Sequence, residues 1–295
     1  MKIEEFVSLR DYNTYRTGGQ ARYFAKPANV EELSNLLTWA VSQNIPHEVI
    51  GYGANILVSD AGYEGLVICL RDFEKWIVTK DSTIIAGAGV MLNDAVKYAC
   101  DAGFAGMENL AGIPGTIGGA ARMNAGAFGT EMKDIVSRLN VLETASTDHF
   151  ELAQRMITAS EAGFSYRKAE GLNEKIVVAV EFSLTPGDKD ALNEARKAIL
   201  DRRLEKQPLN LPSCGSVFKR PETGYVGAYI EQCGLKGLRS GGAFVSEKHA
   251  NFILNSGEAT SMDIYQLIQQ IKYIVNKDCG VFLEEEVRYL GDFSI

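Results

Sequence analysis

The chain has 295 residues, of which 46% are apolar and 23% are charged, as in ordinary globular proteins. These values exclude a disordered chain, a collagen-like chain and a coiled coil, and the length predicts about two domains. The net charge of −8 disfavours nonspecific binding to nucleic acid. No apolar run reaches the roughly 18 residues that a membrane helix needs. The first six residues show no signal peptide, so we expect a cytoplasmic protein.

Cysteine and histidine usage argues against a metal centre. The five cysteines are odd in number, none forms a C-x-x-C pair, and the chain has only three histidines. This pattern disfavours a disulfide framework and a zinc or iron–sulfur site, and it suits the reducing cytosol. We therefore predict that no metal is bound.

The first predicted helix follows Pro27. Asn29 can cap it, Glu32 stands three residues later as in a capping box, and apolar residues then recur at helical spacing. Short apolar runs bounded by Gly, Asp or Asn come next and predict strands. These strands cover residues 47–50, 56–59, 66–70, 76–79 and 83–86.

Further along, a second helix is predicted over residues 93–102 and ends at Gly103. Strands are predicted at 135–143 and 175–184, before a turn at 185–188. A charged helix over 190–206 should face Leu192, Ala195, Ile199 and Leu200 inward. A helix over 261–278 and a strand over 281–290 end the chain. This order indicates an α+β fold rather than the regular alternation of a doubly wound sheet.

Glycine is concentrated in the first half of the chain. Fourteen of the 29 glycines lie between residues 51 and 129, and few charges accompany them. A segment so rich in glycine and poor in charge is unusual unless its backbone must approach something closely.

Residues 50–58 (IGYGANILV) place two glycines between predicted strands. Gly51 and Gly53 resemble half of a dinucleotide fingerprint, but Ile56 stands where the third glycine belongs and no helix follows. The Rossmann interpretation therefore fails. A tight turn can still bind phosphate through successive N–H groups. Taken alone, however, the segment is better explained as an ordinary hairpin turn.

Residues 109–129 contain six glycines and no nucleoside-triphosphate loop motif. The segment could be a packing loop against a sheet. So many residues without side chains would weaken a packed core, and no compensating interaction is evident. We therefore favour the interpretation that this backbone wraps around a flat or polyanionic ligand.

Three other segments carry weaker signals. Residues 164–168 (FSYRK) are best explained alone as a surface basic pair beside an aromatic ring. Residues 213–221 (SCGSVFKRP) could hold a nucleophilic Cys214 or Ser216, but G-x-S-x-G is absent and no histidine is near in sequence. Adjacent carboxylates such as 284–286 are usually a solvated edge; in a strand, Glu284 and Glu286 would share one face and Glu285 the other.

Taken in order, these segments resemble one family, UDP-N-acetylenolpyruvoylglucosamine reductase (MurB). Each motif is weak alone, but the ordered set is highly specific and spans almost the whole chain. The matching segments are residues 13–19 (NTYRTGG), 51–56, 111–119, 166–167, 215–219 (GSVFK), 237–242 (GLRSGG), 246–252 (SEKHANF) and 286–288 (EVR).

The resemblance implies a two-lobed FAD-binding module of the vanillyl-alcohol-oxidase (PCMH) type over residues 1–186, with lobes 1–72 and 73–186. An α+β substrate domain would follow over 187–295. Both glycine segments would wrap the flavin pyrophosphate, which agrees with the interpretation of their backbones given above. The implied cofactor-binding residues are Gly51, Tyr52, Gly53, Ala54, Asn55, Ile56, Gly112, Ile113, Pro114, Thr116, Gly118, Gly119, Asn124 and Gly126.

The same resemblance implies the chemistry. NADPH would reduce FAD, and flavin N5 would deliver hydride to C3 of UDP-N-acetylglucosamine enolpyruvate. Ser216 would protonate C2, giving UDP-N-acetylmuramate for peptidoglycan synthesis. Arg167 and a protonated Glu286 would stabilise the enolic carboxylate; such protonation requires a raised pKa, which burial and neighbouring carboxylates could supply. Lys219, Arg220 and Arg239 would contact the substrate's anionic groups. The enzyme would be a monomer that binds neither nucleic acid nor membrane.

The chain departs from the family pattern at three positions. Ala54 replaces a common serine, Ala169 replaces a serine that often stands two residues after the arginine, and Arg220 replaces a common asparagine. No long insert carrying a substrate-capping tyrosine occurs around 175–215, which suggests the shorter of the family's two subtypes.

Two other functions stay open at this point. One is an oxidoreductase of the same flavin superfamily that acts on a different substrate. The other is a nucleotide-sugar binder that has kept the scaffold without catalysis, although the retained Arg167, Ser216 and Glu286 argue against it.

Overall fold

The computed structural model describes residues 2–81, 83–144 and 151–294. None of the helices in these ranges is both long and apolar enough to cross a bilayer. In chain order the helices are α1 (Val30–Ser42), α2 (Leu92–Ala102), α3 (Ile117–Arg122), α4 (Met132–Ile135), α5 (Ala159–Ala162), α6 (Lys189–Lys206), α7 (Val226–Gln232) and α8 (Ser261–Cys279).

Most strands are short, and many contain only two or three residues. In chain order they are β1 (Glu4–Ser8), β2 (Gln20–Ala25), β3 (His47–Ile50), β4 (Ile56–Val58), β5 (Tyr63–Cys69), β6 (Ile77–Lys80), β7 (Thr83–Gly87), β8 (Phe104–Ala105), β9 (Gly126–Ala127), β10 (Thr130–Glu131), β11 (Val136–Thr144), β12 (Leu152–Thr158), β13 (Phe164–Ser165), β14 (Lys168–Ala169), β15 (Ile176–Ser183), β16 (Thr185–Pro186), β17 (Arg239–Ser240), β18 (Ala243–Val245), β19 (Ile253–Asn255) and β20 (Arg288–Leu290). The mixture of helices and strands confirms the predicted α+β class.

The chain divides into two compact units, and each is assembled from separate stretches of sequence. The first unit consists mainly of Ala25–Tyr52 and Leu66–Arg203. The second combines Glu4–Phe24, Gly53–Gly65 and Leu204–Ile295. Two segments of the predicted FAD-binding module are therefore counted with the C-terminal part of the chain. The domain boundaries drawn from the sequence stay a prediction.

The first unit is built around an antiparallel sheet in the order β12-β11-β15-β7-β6. Leu139 and Val180 face each other across the two longest of these strands, and both are fully buried. α3 lies against β15, so the sheet supports the glycine-rich segment that contains this helix. In the same unit β3 and β5 pair in parallel.

The second unit packs α8 against the antiparallel sheet β17-β18-β19. The buried face of α8 is apolar and includes Ile264, Leu267 and Ile268. Tyr15 and Leu57, which come from the two early segments, belong to the same hydrophobic core and are fully buried.

Polar contacts also attach the early segments to the second unit. The side-chain amide of Asn255 donates to the carbonyl oxygen of Tyr15 at 2.8 Å. The carboxylate of Asp60 accepts from the backbone N–H groups of Ser261 and Met262 at 2.9 and 2.8 Å. Since these N–H groups lie in the first turn of α8 and have no partner within the helix, Asp60 satisfies them.

The structure confirms the four long helices predicted from sequence. Asn29 accepts from the N–H of Glu32 at 3.0 Å, and the Glu32 carboxylate accepts from the N–H of Ala28 at 2.8 Å. Gly103 ends α2 in the left-handed region at φ +80°. These signals are local, which explains why sequence alone reveals them.

Three predictions are wrong in whole or in part. The inward face of α6 is only partly the predicted apolar stripe: Leu192 is buried and Ile199 and Leu200 are half-buried, but Ala195 is exposed and Arg203 is buried. The predicted strand over 281–290 is reduced to β20 and an isolated bridge at Glu285. The 51–56 segment is not a hairpin turn, because β3 pairs with β5 and β4 pairs with β20.

Candidate active site

The first glycine segment is shaped by close backbone packing in both units. In the first unit, a Cβ at Gly51 would lie 2.5 Å from the hydroxyl oxygen of Thr116, so the absence of a side chain lets these two segments meet. The next residue, Tyr52, is fixed by Arg71, which donates to its carbonyl oxygen at 2.8 Å and stacks over its ring at 4.7 Å.

In the second unit, Gly53 has φ +76°, and a Cβ there would collide with the carbonyl oxygen of Tyr12. The carbonyl of Gly53 accepts from the N–H of Thr14 at 3.1 Å. Only glycine fits such a position without strain. The motif at 13–19 and Gly53, which are distant in sequence, are thus packed together.

Ala54 is partly buried, and Asn55 and Ile56 connect this turn to the C-terminal strand. The carbonyl oxygen of Asn55 accepts from the N–H of Arg288 at 3.0 Å, and its side-chain amide donates to the carbonyl oxygen of Glu286 at 2.9 Å. Ile56 begins β4 opposite Arg288. A residue predicted to bind the cofactor therefore supports one that was predicted to be catalytic.

The second glycine segment, in the first unit, is attached to its surroundings on one side. The N–H of Gly118 donates to the carbonyl oxygen of Ala88 at 2.9 Å, and a Cβ at Gly118 would lie 2.9 Å from that of Ala88. Gly112 donates to the side chain of Asn93 at 2.6 Å. These glycines serve packing, which was the alternative interpretation for this segment.

Other positions of the same segment are bare on their outer side. A Cβ at Gly115 would meet no atom within 4 Å, and one at Gly119 would meet only the Thr116 hydroxyl at 3.5 Å. Ile113 is half-buried and Pro114 is exposed. Thr116 is buried and accepts from the N–H of Gly119 at 3.4 Å. A backbone held from behind and open in front fits the close approach of a bulky anionic cofactor such as FAD.

Arg203 was missed by the sequence analysis. It is 5% exposed, its Nε donates to the carbonyl oxygen of Ala111 at 2.6 Å, and its stem lies under Gly112. Burial lowers the pKa of the guanidinium to about 10. No sequence feature distinguished Arg203, because an arginine in a charged helix is expected to be exposed to solvent.

Asn124 is fully buried and has φ +41°. Its amide donates to the Glu131 carboxylate at 3.0 Å and to the carbonyl oxygen of Ser165 at 2.9 Å, while its oxygen accepts from the N–H of Lys133 at 2.9 Å. Both amide hydrogens are used inside the protein. Asn124 therefore organises the loops around it.

Arg167 lies in the same neighbourhood of the first unit. It sits with Tyr166 in the tight turn between β13 and β14, has φ +57°, and stacks over the Tyr166 ring at 5.0 Å. Its guanidinium donates to the carbonyl oxygen of Gly126 at 3.3 Å. Unlike the exposed Lys168, Arg167 is half-buried, so the two do not form a simple surface basic pair.

Ser216 lies in a backbone segment of the second unit that is hydrogen-bonded to a neighbouring segment on each side. Ser216 itself forms a bridge with Phe252. The N–H of Val217 donates to the carbonyl oxygen of Asn251 at 2.9 Å, and the carbonyl oxygen of Val217 accepts from the N–H of Glu286 at 2.7 Å. The structure thus brings the segments of Ser216 and Glu286 together.

Asn251 is a second residue to which the sequence assigned no role. Its side chain accepts from the N–H of Phe218 at 3.0 Å and donates to the carbonyl oxygen of Phe218 at 2.9 Å. It is 8% exposed, so both bonds are shielded from water. The only sequence feature that could have identified Asn251 was its place in the matched motif at 246–252.

Cys214 is not an activated nucleophile. Burial raises the pKa of its thiol to about 12, although a hydrogen bond with Tyr15 opposes part of the shift. Cys214 is 5% exposed, and its thiol is protonated near neutral pH. The cysteine alternative for this segment therefore loses its chemical basis.

Two of the three carboxylates at 284–286 form ion pairs with different partners. Glu284 forms an ion pair with Lys219, whose N–H also donates to the carbonyl oxygen of Glu284 at 2.8 Å. Glu285 pairs with Lys272 of α8 at 2.7 Å. Burial by itself raises the pKa of Glu285, but the hydrogen bond and charge of Lys272, a backbone hydrogen bond and a bond from Gln269 together lower it below its ordinary value. They are therefore not a uniform solvated edge.

The remaining predicted substrate residues are exposed and stack on aromatic rings. Arg220 lies 4.1 Å from the ring of Tyr225, and Arg239, at the start of β17, lies 4.6 Å from that of Phe244. In the described part of the chain no cluster of three or more His, Cys, Asp or Glu residues could hold a metal ion.

Comparisons with known proteins agree with these features. Residues 21–150 match the FAD binding domain family, and residues 207–290 match the C-terminal domain family of UDP-N-acetylenolpyruvoylglucosamine reductase. The reductase of Lactobacillus johnsonii is 40% identical over 98% of this chain and 95% of its own length. The reductase of Prochlorococcus marinus is 42% identical over 99% of this chain and 94% of its own length.

A solved structure supports the same assignment and confirms the fold. The crystal structure of the Thermus caldophilus enzyme (MurB) is similar with a TM-score of 0.82 and 32% identity, covering 99% of this chain and 100% of that one. Sequence, site geometry and fold lead to one conclusion: the chain belongs to the UDP-N-acetylenolpyruvoylglucosamine reductase family.

Proposed function

We propose that this flavin-dependent oxidoreductase reduces UDP-N-acetylglucosamine enolpyruvate to UDP-N-acetylmuramate, with FAD as bound cofactor and NADPH as hydride donor. This reaction supplies a precursor of peptidoglycan. The FAD-binding module would cover residues 1–186 and the substrate domain 187–295. We further propose that the enzyme acts as a cytoplasmic monomer, since NADPH and nucleotide sugars are intracellular metabolites.

The observation that carries this proposal is the backbone pairing around Ser216. The N–H of Glu286 donates to the carbonyl oxygen of Val217 at 2.7 Å, so a hydroxyl and a carboxyl group are carried on adjacent, mutually bonded segments. Cys214, the competing nucleophile, is buried and protonated. A hydroxyl and a carboxyl group on paired segments, together with a Cys214 thiol that is not activated, suit a proton-donating site better than a hydrolytic one.

The roles of the chain's own residues follow from the substrate's chemistry. When bound, FAD that NADPH has reduced supplies the hydride for C3 of the enolpyruvyl group. Ser216 gives its hydroxyl proton to C2. Arg167 stabilises the charge that develops on the carboxylate, and Glu286, as the neutral acid, donates a hydrogen bond to it. Removing one such donor typically costs about 3–4 kcal/mol of transition-state stabilisation.

The glycine segments and the three basic residues have binding roles in this proposal. Bare backbone at Gly115 and Gly119 supports a place for the cofactor pyrophosphate, and the position of Arg203 under Gly112 supports a fixed loop shape. Lys219, Arg220 and Arg239 would neutralise the substrate's diphosphate. Lys219 already pairs with Glu284, so it would exchange one anionic partner for another.

Anaerobic stopped-flow absorbance of the flavin tests the proposal with Ser216→Ala. We expect NADPH to bleach the flavin at nearly the normal rate, because no proton from Ser216 is needed there. Reoxidation by the enolpyruvyl substrate should slow by about 10²–10⁴-fold. Ser213→Ala, three residues earlier, is the matched control and should leave both half-reactions intact.

Three results would count against the proposal or a part of it. If both half-reactions slowed alike in Ser216→Ala, Ser216 would not be the proton donor. If the purified protein were colourless and rejected added FAD, the flavoenzyme assignment would be wrong. A yellow enzyme that NADPH bleaches, but that the enolpyruvyl sugar does not reoxidise, would indicate another substrate.

A further inference from the structure

We propose that Cys233 and Cys279 form a reversible redox site, in which an external low-molecular-weight disulfide converts the two thiols into an intramolecular disulfide. Their sulfur atoms lie 3.5 Å apart, although 46 residues separate them in sequence. Both are partly exposed, whereas Cys69, Cys100 and Cys214 are buried. The pair is invisible in the sequence because it is formed only by the fold.

The two cysteines stand at the ends of neighbouring helices of the second unit. Cys233 follows the last residue of α7, and Cys279 is the last residue of α8; the two helices pack against each other. Gly234 and Gly280 come directly after them, with φ +66° and +69°. A Cβ at either glycine would meet no atom within 4 Å.

This arrangement leaves room for bond formation. A disulfide requires a sulfur–sulfur distance of about 2.05 Å, so the two sulfurs must approach by roughly 1.5 Å. Helix ends followed by uncrowded glycines can move by that amount more easily than helix centres. Both cysteines also pack against the hydrophobic core of the second unit, so their backbones are held near each other.

The chemistry balances with a disulfide RSSR as oxidant. The thiolate of one cysteine attacks RSSR, forms a mixed disulfide and releases one RS⁻. The second thiolate then attacks the protein sulfur of the mixed disulfide and releases the second RS⁻. Overall, two protein thiols lose two electrons and two protons, and RSSR becomes two RSH.

The exchange should be slow at neutral pH. Burial raises the pKa of the Cys233 thiol to about 11, and the hydrogen bond and charge of Cys279 and the charge of Asp278 add to the shift. Since the thiolate is the attacking species, little of the reactive form is present. The site would therefore respond to sustained oxidation and would take no part in rapid turnover.

The disulfide would link two helices of the second unit that lie near, in sequence, to residues proposed to act in the reaction. Cys279 precedes Glu286 by seven residues, and α7 begins six residues after Arg220. A cross-link between distant residues stabilises mainly by restricting the unfolded chain. We expect the oxidised protein to gain on the order of 5 °C in melting temperature.

Thiol counting tests the proposal on the intact holoenzyme. The reduced protein is incubated anaerobically with excess glutathione disulfide, denatured, alkylated with iodoacetamide and digested for mass spectrometry. We expect the number of alkylated cysteines to fall from five to three, with one peptide pair linked through Cys233 and Cys279. Dithiothreitol should restore all five.

Matched variants make the result specific. Cys233→Ser and Cys279→Ser should each abolish the cross-link and the rise in melting temperature, while Cys100→Ser should retain both. Five alkylated cysteines after oxidation, a mixed disulfide that never resolves, or a cross-link through another cysteine would overturn the proposal. Because the readout is a thiol count, it is independent of the reductase assignment.

Discussion

The side-chain amide of Asn55 donates a hydrogen bond of 2.9 Å to the backbone carbonyl oxygen of Glu286. The carbonyl oxygen of Asn55 accepts from the N–H of Arg288 at 3.0 Å, so Asn55 contacts the C-terminal segment at two points. This residue was expected to bind the cofactor. The structure also makes it a support for the segment that carries the carboxyl group at position 286.

We predict that Asn55→Ala weakens catalysis by misplacing Glu286. The loss of one partly buried hydrogen bond costs about 1 kcal/mol, which corresponds to roughly a fivefold slower flavin reoxidation by the substrate. Stopped-flow measurement of that half-reaction checks the value. Asn140→Ala removes a bond between exposed side chains and should have no effect. An unchanged rate in Asn55→Ala would show that Glu286 is fixed by other contacts.

Gly119→Ala distinguishes cofactor binding from packing in the second glycine segment. A Cβ there would meet only the Thr116 hydroxyl at 3.5 Å, and Gly119 lies within α3, where alanine is favoured over glycine by about 1 kcal/mol. The apoprotein should therefore melt at the same temperature or higher. If the cofactor covers this backbone, the dissociation constant for FAD should rise at least about tenfold, because the methyl group occupies its space.

The control for this experiment is Gly118→Ala. Its Cβ would lie 2.9 Å from that of Ala88, so it should destabilise even the apoprotein, by about 1–3 kcal/mol. Differential scanning calorimetry of both apoproteins and FAD titration separate the two effects. Normal FAD binding by Gly119→Ala would favour the packing interpretation of the segment.

Arg203→Met should loosen the glycine loop and weaken FAD binding. Methionine keeps an apolar stem under Gly112 but removes the bond to the carbonyl oxygen of Ala111. A hydrogen bond from a charged donor contributes about 1.5–3 kcal/mol, so we expect at least a tenfold higher dissociation constant for FAD. Arg202 stacks on the same Phe128 ring but is exposed, which makes Arg202→Met a matched control with little effect. Equal losses in both variants would point to the ring contact instead.

Cys214 should make stability depend on alkaline pH. Its thiol has a pKa of about 12 in the folded protein and an ordinary value near 9, so the folded state binds the proton more tightly. The stability that this provides is complete below pH 9 and is lost as the pH rises towards 12. Between pH 9 and 10 the wild type should lose about 1 kcal/mol more than Cys214→Ser, as denaturant titrations can measure.

The same variant should keep its reductase activity, since a buried protonated thiol has no role in the proposed reaction. Serine is close in size and leaves the backbone around Ser216 unchanged. An inactive Cys214→Ser enzyme that still folds would revive the cysteine nucleophile. An identical pH dependence in both proteins would mean that the thiol ionises at its ordinary value.

Local signals in the sequence were sufficient for the long helices. The Asn29 cap and Glu32 lie within one helical turn, and the apolar stripe of α8 repeats with a helical period. By contrast, α3 was missed because its glycines oppose helix formation; it forms where the N–H of Gly118 bonds to Ala88. The family motifs supplied the candidate site residues, and their proposed roles await the experiments above.

Long-range contacts explain the remaining errors. Residues 284–286 look like part of a strand, but their backbone bonds go to 217–219, and only the fold decides that pairing. Arg203 is buried against the loop that contains its hydrogen-bond partner, Ala111, and this loop lies 92 residues away in sequence. No pattern of nearby residues contains that information, so an exposed arginine was the better expectation from sequence.

Tyr15 and Leu57 complete a hydrophobic core whose other members lie almost entirely beyond residue 213. On the ribosome, residues 4–24 and 53–65 must therefore wait until nearly the whole polypeptide has emerged before they can reach their final neighbours in the second unit. Expressing the C-terminal part of the gene alone would leave holes where those two side chains belong, and would give a poorly folded fragment. The order in which the chain is synthesised thus differs from the order in which its segments can fold.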